Sequence, residues 1–490
     1  MASTAPDDRY AFSEMSSTTR TLSPWLVAAL CVAVSFALFI PSLSLSFFAD
    51  DFLAVWRIGA LGDMHQASFF RPLSEFTIWV NHFAAGTSPA GYRAFNVLVH
   101  ALNAVLVYLL MQRTPGLREV PNATGMALVA AVLFLAYPFH NESIVWIVGR
   151  GTSLATFFTL ASLVALSSGL SERGKLIIVP LFFFLGALAY ESMLLFPLIV
   201  LPMLLRGCED QRPFRKRLGV ALIAVLLLHF MARWAFTGQL ANAYGSAFFD
   251  HTWSTYPLNA VKVLGRLFLP PSHDEHMQGV RFVLLLALLS VAAFPFWRST
   301  ERTSPLRATI LDLGWMLGIV CLVGIIAGVS TRTSESDRFL YMPSAFLCML
   351  IAIALFSLLG GIVRWATLAL LVIGSVILLQ RNTANWKDAS TTIERIVADL
   401  PPPPDDGRLF VTGTPGEFNG AFIFRHGFHE ALLLAGRDTA RIVRVDRVLW
   451  EAAEAQGVPA LSSDGRSDTL FLGPNDRETH WFGDHFSSTK

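Results

Sequence analysis

The chain has 490 residues, of which 53% are hydrophobic and only 15% charged; a soluble domain carries about 25% charged residues. That deficit argues against a soluble enzyme and against a disordered chain. With a net charge of +1, no global field draws the chain toward nucleic acid.

The charges are unevenly spread. Of 37 basic and 36 acidic residues, 25 fall in residues 391–490, the last fifth of the chain. The first four-fifths therefore reads as membrane and the remainder as a soluble domain. Cys31, Cys208, Cys321 and Cys348 lie far apart and match no zinc or disulfide framework.

A membrane-spanning helix needs about 20 mostly apolar residues. In chain order the candidates are 25–46, 92–112, 125–139, 152–168, 176–189, 193–206, 218–236, 280–297, 308–329, 339–358 and 365–380. That makes about 11 spans. The tail before the first span carries Asp7, Asp8 and Glu14 with no clear cleavage site, as expected of an uncleaved anchor. Basic residues set the orientation. Arg206, Arg212, Arg215, Lys216 and Arg217 crowd one short loop, which places that loop and the N-terminus in the cytoplasm. An odd number of spans then puts the C-terminal domain outside. The expected organisation is a cytoplasmic tail (1–24), a transmembrane domain (25–388) with large outer loops at 47–91 and 237–279, and a periplasmic soluble domain (389–490). The first outer loop is rich in Phe and Trp, as an interfacial helix would be.

The outer face collects the polar chemistry. Asp50 and Asp51 follow the first span, His140 and Glu142 the third; Glu191 interrupts the fifth and sixth; Glu335, Asp337 and Arg338 lie between the ninth and tenth. Carboxylates at membrane depth are costly and point to function. The bland alternatives are solvation for the Asp pair, an ion pair with an arginine for Glu191 and a helix-end hydrogen bond for His140. Asn96, His100 and Asn103 form one helical stripe and read as interhelical glue.

In the tail, Pro401–Pro404 reads as a spacer. Strands are expected at 407–415, 441–445 and 468–474, and a helix over 421–436 ending at Gly436, giving a small α/β domain. The Gly413–Gly416 stretch lacks the Gly-Lys-Ser/Thr of a phosphate-binding loop. His426 and His429 read as surface residues.

Several segments resemble one family, in order. They are the Asp50-Asp51 pair, FRPLSEFTIWVNHF (70–83), GYRAFNVLVHALNAVLVYLL (91–110), YPFHNESIVWIVGR (137–150), AYESMLLFPLIVL (189–201), ESDRFLYMPSAFLCML (335–350) and RNTANW (381–386). Together they resemble the GT-C glycosyltransferases, in particular the tetratricopeptide-containing transmembrane O-mannosyltransferases and their bacterial relatives. No tetratricopeptide repeats follow here, Tyr190 stands where the family has Lys, and Asp337 where it has Glu.

The resemblance implies an all-α polytopic GT-C-like membrane protein with a small C-terminal α/β domain. It implies a bacterial inner-membrane enzyme that moves a sugar from a polyprenyl-phosphate donor to a hydroxyl of a protein or envelope glycan, at the outer face. Asp51, or its neighbour Asp50, is then the general base. His140, Glu142, Arg150, Glu191, Arg233, Arg266, Asp337 and Arg338 are the candidates for substrate binding, the arginines for the donor phosphate. Carboxylates alone suit transfer with or without a divalent metal ion, so no cofactor is assigned. Membrane lipids are expected partners and nucleic acid is not. The rival reading is a lipid or solute transporter, which would more naturally show internal repeats.

Overall fold

The computed structural model describes residues 23–64, 69–118, 120–206, 209–240, 252–274, 283, 305–403, 405, 407–445, 468–472 and 479–482. Apart from Val283, the expected span at 280–297 lies outside these residues, as do Cys208, most of the N-terminal tail and parts of the second outer loop and the C-terminal domain.

The helices are α1 (Pro24–Phe39), α2 (Asp50–Val55), α3 (Pro72–Ala85), α4 (Pro89–Arg113), α5 (Pro115–Arg118), α6 (Ala123–Leu135), α7 (Asn141–Ile144), α8 (Arg150–Leu166) and α9 (Glu172–Ala187). After them come α10 (Phe196–Ile199), α11 (Leu201–Leu205), α12 (Arg212–Thr237), α13 (Thr255–Phe268), α14 (Pro305–Ala327), α15 (Arg338–Leu358) and α16 (Gly361–Asp399). Proline in the first turn opens α1, α3, α4 and α12, where its missing N–H and fixed φ cost nothing. The central helix is α4, packed by α1, α6 and α8. Its polar stripe bonds across helices: Asn96 Nδ2 donates to the Ile144 carbonyl at 3.0 Å and Asn103 Nδ2 to the Ser153 carbonyl at 2.9 Å.

Six described helices are long and apolar enough to cross a membrane. The candidates at 125–139, 152–168 and 176–189 become the shorter α6, α8 and α9, and 193–206 becomes a broken series ending in α10 and α11. The 13 residues of α6 rise only about 20 Å. The chain beyond the ends of α6 and α9, and before α8, leaves the helical path instead of completing a span. Irregular backbone at membrane depth is tolerated where protein buries it, and residues 136–149 are almost entirely buried. Those missing turns carry the polar residues singled out above.

Helix α3 fits the interfacial helix expected in the first loop: Phe76, Trp79 and Phe83 form an exposed, stacked aromatic row along it.

Helix α16 runs unbroken for 39 residues, so the boundary expected at 388 falls inside it. Its second half packs against the residues that follow α1 and α6. There Trp386 packs edge-on against Phe48, Asn382 Nδ2 donates to the Pro138 carbonyl at 3.0 Å, and the Ser46 N–H donates to Ser390 Oγ at 2.8 Å. It delivers a four-stranded sheet of β1 (Leu409–Thr412), β4 (Ile442–Val445), β5 (Asp468–Leu472) and β6 (Thr479–Phe482), ordered β4-β1-β5-β6. The strand β1 is parallel to β4 and β5, and β5 pairs antiparallel with β6.

The helix expected over 421–436 is only half present. Residues 417–422 form a hairpin of β2 (Glu417–Phe418) and β3 (Ala421–Phe422), and α17 begins at Phe428 and ends at Leu434. Gly427, at φ +79°, separates them. The apolar residues at 421–424 mimic helical periodicity, but they are buried as extended chain against the membrane domain.

Candidate active site

The site begins with a strained turn. Ala49 sits at φ +40°, a region a residue with a Cβ rarely adopts. Its N–H donates to the Ile423 carbonyl at 2.9 Å and its own carbonyl accepts from Phe52 N–H at 3.1 Å. This turn starts α2 and sends the two adjacent aspartates in different directions.

Asp51 is fully buried. Its Oδ2 accepts the N–H groups of Phe48 and Ile147, both at 3.2 Å, and its Oδ1 accepts Val148 N–H at 2.9 Å. Burial pushes its carboxyl up to about 7, against the pull of these donors and of Arg93. It clamps α2 to the turn between α7 and α8. Asp50 is the open one. Its side chain is 38% exposed, and its Oδ1 meets His426 Nδ1 at 3.0 Å. Asp51, the favourite from the sequence, has no exposed surface with which to meet an acceptor, and Asp50 has.

A cluster of arginines gathers around Glu142, Tyr190 and Glu191. Arg338, the first residue of α15, donates its backbone N–H to Glu142 Oε2 at 2.9 Å and its guanidinium to Glu142 Oε1. Burial pushes the Glu142 carboxyl up while Arg338 pulls it down. The Arg338 guanidinium lies 5.5 Å from the Trp146 ring centroid and within hydrogen-bond reach of Tyr190. On the other side of Tyr190, the Arg71 guanidinium lies over the ring at 4.4 Å. Arg71 Nε reaches both oxygens of Glu191, at 3.1 and 3.0 Å, so Glu191 is ion-paired as its bland alternative expected. Arg71 and Arg338 each keep about a fifth of their side chain exposed.

Helix α12 completes the cluster with His229 and Arg233, one turn apart on the same face. Both are buried, yet Nε and Nη2 of Arg233 and both ring nitrogens of His229 make no hydrogen bond. A buried guanidinium with unused donors is costly in a closed core and suits a site that receives an anion.

Other expected substrate contacts are closed off. Arg150 is fully buried, bonding Asn81 Oδ1 at 2.6 Å, Thr77 Oγ1 at 3.3 Å and the Tyr92 and Ile147 carbonyls at 3.2 Å. It ties α3 and α4 to the start of α8. Arg266 is consumed by Asp337, by the Ser330 carbonyl at 3.0 Å and by the Leu269 carbonyl at 2.6 Å. Burial pushes the Asp337 carboxyl up to about 7, with Arg266 opposing. His140 is fully buried, with Nε2 2.8 Å from Ser344 Oγ and its ring against Tyr341. Arg150, Arg266, Asp337 and His140 thus spend their polar atoms on protein partners and hold the frame. Among the described residues, no group of three or more His, Cys, Asp or Glu is gathered to hold a metal ion.

Two contributors are not singled out by the sequence. Arg71 stands in the FRPLSEF segment without a local partner to mark it. His229 carries a signal that could have found it, its i, i+4 spacing from Arg233 within an apolar span.

Comparison with known proteins fits this geometry. The chain is 28% identical over 163 residues to protein O-mannosyl-transferase F38B6.6 of Caenorhabditis elegans, covering 30% of this chain and 23% of that protein. It is 25% identical over 301 residues to protein O-mannosyl-transferase TMTC3 of Mus musculus, covering 59% of this chain and 29% of that one. The chain thus spans less than a third of the length of these relatives. A crystal structure of ArnT from Cupriavidus metallidurans bound to undecaprenyl phosphate superposes with a TM-score of 0.51, covering 91% of this chain and 93% of that chain at 14% identity. The fold is that of ArnT. The GT-C-like architecture and the resemblance to the O-mannosyltransferases expected from the sequence are both borne out. No family model matches the chain.

Proposed function

We propose that this chain is a membrane glycosyltransferase that moves a sugar from a polyprenyl-phosphate donor to an acceptor hydroxyl at the outer face of the membrane. One observation carries the reading. Arg71, Arg233 and Arg338 gather around Glu191 and Tyr190, and the exposed carboxylate of Asp50 is tied through His426 and its neighbour Arg425 to Glu335, three residues ahead of Arg338. A base and an anion receptor joined in one frame are what the chemistry requires.

The acceptor oxygen attacks C1 of the sugar as its proton passes to Asp50. The bond from C1 to the phosphate oxygen breaks, and the polyprenyl phosphate leaves with both electrons of that bond. Losing a positioned base typically costs 10²- to 10⁴-fold in rate, on the order of 3–5 kcal/mol. Charge developing on the departing phosphate is met by guanidinium groups, whose planar fork matches phosphate oxygens. Arg233 suits this best, because its free donors need no prior bond to break. A donor that stays in the bilayer must be met at the interface, where α3 exposes its aromatic row.

That the relatives are protein O-mannosyl-transferases supports mannose as the sugar and a protein hydroxyl as the acceptor. The undecaprenyl phosphate bound to ArnT supports a polyprenyl phosphate site in the shared fold. The basic 206–217 loop supports a cytoplasmic N-terminus and a C-terminal domain outside, periplasmic in a bacterial inner membrane. The transporter reading finds no support among these relatives.

Purified protein in nanodiscs, given tritiated mannosyl-phosphoundecaprenol and a pool of Ser/Thr-rich peptides, tests the proposal. Label in peptide with stoichiometric release of undecaprenyl phosphate is expected. Donor carried across a bilayer without cleavage would instead favour transport.

A further inference from the structure

The tail histidine read from the sequence as a surface residue lies on the candidate base. We propose that His426, from the C-terminal domain, is a positioning residue for Asp50, so that the active site is completed by the domain outside the membrane. This rests on the assignment of Asp50 as base.

The contact is built from both sides. Before His426, residues 421–424 are buried to within 2% exposure against the membrane domain. Ile423 accepts the hydrogen bond from Ala49 N–H at 2.9 Å, Phe422 packs on Trp146 at 4.8 Å, and Phe424 faces Phe52 at 6.2 Å. Arg425, next in line, reaches Glu335 Oε1 at 2.7 Å and so ties the segment to the loop before α15. After His426, Gly427 sits at φ +79° directly on the Ala49 carbonyl, where a Cβ would collide with it. The same residue, Ala49, is thus gripped by the chain on either side of His426. Sliding the loop by one residue would break the Ile423 bond and put a side chain against that carbonyl.

The ring is presented on this fixed backbone. Its Nδ1 lies 3.0 Å from Asp50 Oδ1, while the ring itself is 62% exposed. An Nδ1–H donated to Oδ1 holds the carboxylate in one rotamer and leaves Oδ2 to take the proton of the acceptor. An exposed carboxylate without such a partner rotates freely, and misplacing a reacting group by about 1 Å can cost on the order of 10²-fold.

The test compares His426→Ala, His426→Asn and Asp50→Asn in the nanodisc transfer assay. Asn places an amide N–H near the position of Nδ1 but has no second ring nitrogen. His426→Ala should lower kcat about 10- to 100-fold, as for other groups that orient a reacting ligand, with donor KM and Tm unchanged. His426→Asn should recover most of that loss. Because His426 acts through Asp50, Asp50→Asn with His426→Ala should be no slower than Asp50→Asn alone. A His426→Ala variant within twofold of wild type overturns the proposal. So does a His426→Asn variant as slow as His426→Ala, which would make the ring itself the base, and so does a double variant slower than Asp50→Asn. If Asp50→Asn itself turns over at the wild-type rate, the failure lies in the assignment of the base.

Discussion

Asparagine at position 50 and asparagine at position 51 should fail in opposite ways. The Asp51 carboxylate accepts three backbone N–H groups from zero exposure. Asparagine replaces one acceptor oxygen by an NH₂ donor. In the better of its two flips the NH₂ faces the single N–H of Val148, leaving that N–H and the new amide both without an acceptor. Each buried unsatisfied group costs about 1–3 kcal/mol, so Asp51→Asn should lose roughly 2–6 kcal/mol, a large part of a typical folding stability. Asp50→Asn gives up one exposed contact to His426, a class of interaction worth about 0–1 kcal/mol. It should keep its Tm and lose transfer by about 10²- to 10⁴-fold. Thermal unfolding followed by tryptophan fluorescence in detergent, alongside the nanodisc transfer assay, separates the two effects. A stable, inactive Asp51→Asn beside an active Asp50→Asn would refute the reasoning, because the buried residue would then be the one reaching substrate.

The arginines divide in the same manner. Arg233→Ala removes a guanidinium whose Nε and Nη2 bond nothing, so it should weaken binding of undecaprenyl phosphate by about tenfold or more with Tm retained, whereas Arg150→Ala should cost stability because Asn81 Oδ1 and Thr77 Oγ1 lose their donor; lipid titration and thermal unfolding of each variant read the two effects. Burial raises the Glu75 carboxyl from 4.5 to about 7 against the pull of Arg57. A raised acid contributes stability that is full below pH 4.5 and is lost as pH rises through 7, so the Tm of wild type relative to Glu75→Gln should fall between those values. A cysteine replacing the exposed Ala440, with Cys208 changed to Ser, should be labelled by an impermeant maleimide in spheroplasts; labelling only after lysis would put the C-terminal domain in the cytoplasm.

Hydropathy made the membrane plan legible, because long apolar runs at low charge have few other uses. It did not reveal which runs stop short. Helix α6 ends at Leu135 since the next residues must bring Pro138 to Asn382 and Asn141 to α16, partners more than 200 positions away. The arginines were indistinguishable for the same reason. Arg150 and Arg233 both stand in apolar surroundings in the sequence, and only the arrival of Asn81 and Thr77 beside Arg150 separates a strut from an open donor. The two aspartates differ by one position, and their fates turn on the φ of Ala49, which no residue preference announces.

Charge density divides the chain near residue 390. It is not a division of the fold. Helix α16 crosses it without a break, and the loop that follows β1 returns to bury Phe422, Ile423 and Phe424 on the membrane domain. Composition averages over exposed residues, and the C-terminal domain has many. The four buried residues at 421–424 weigh little in such an average, yet they fix the strained turn that presents Asp50. Gly420 adds to this, since a Cβ there would strike the backbone of Ser334 and Glu335 just ahead of Arg338. Both halves of the candidate site, the carboxylate at the start of α2 and the arginine at the start of α15, are therefore braced by one short stretch of the C-terminal domain. A chain whose two halves evolved only to be tethered would have no reason to place glycines at both of these approaches.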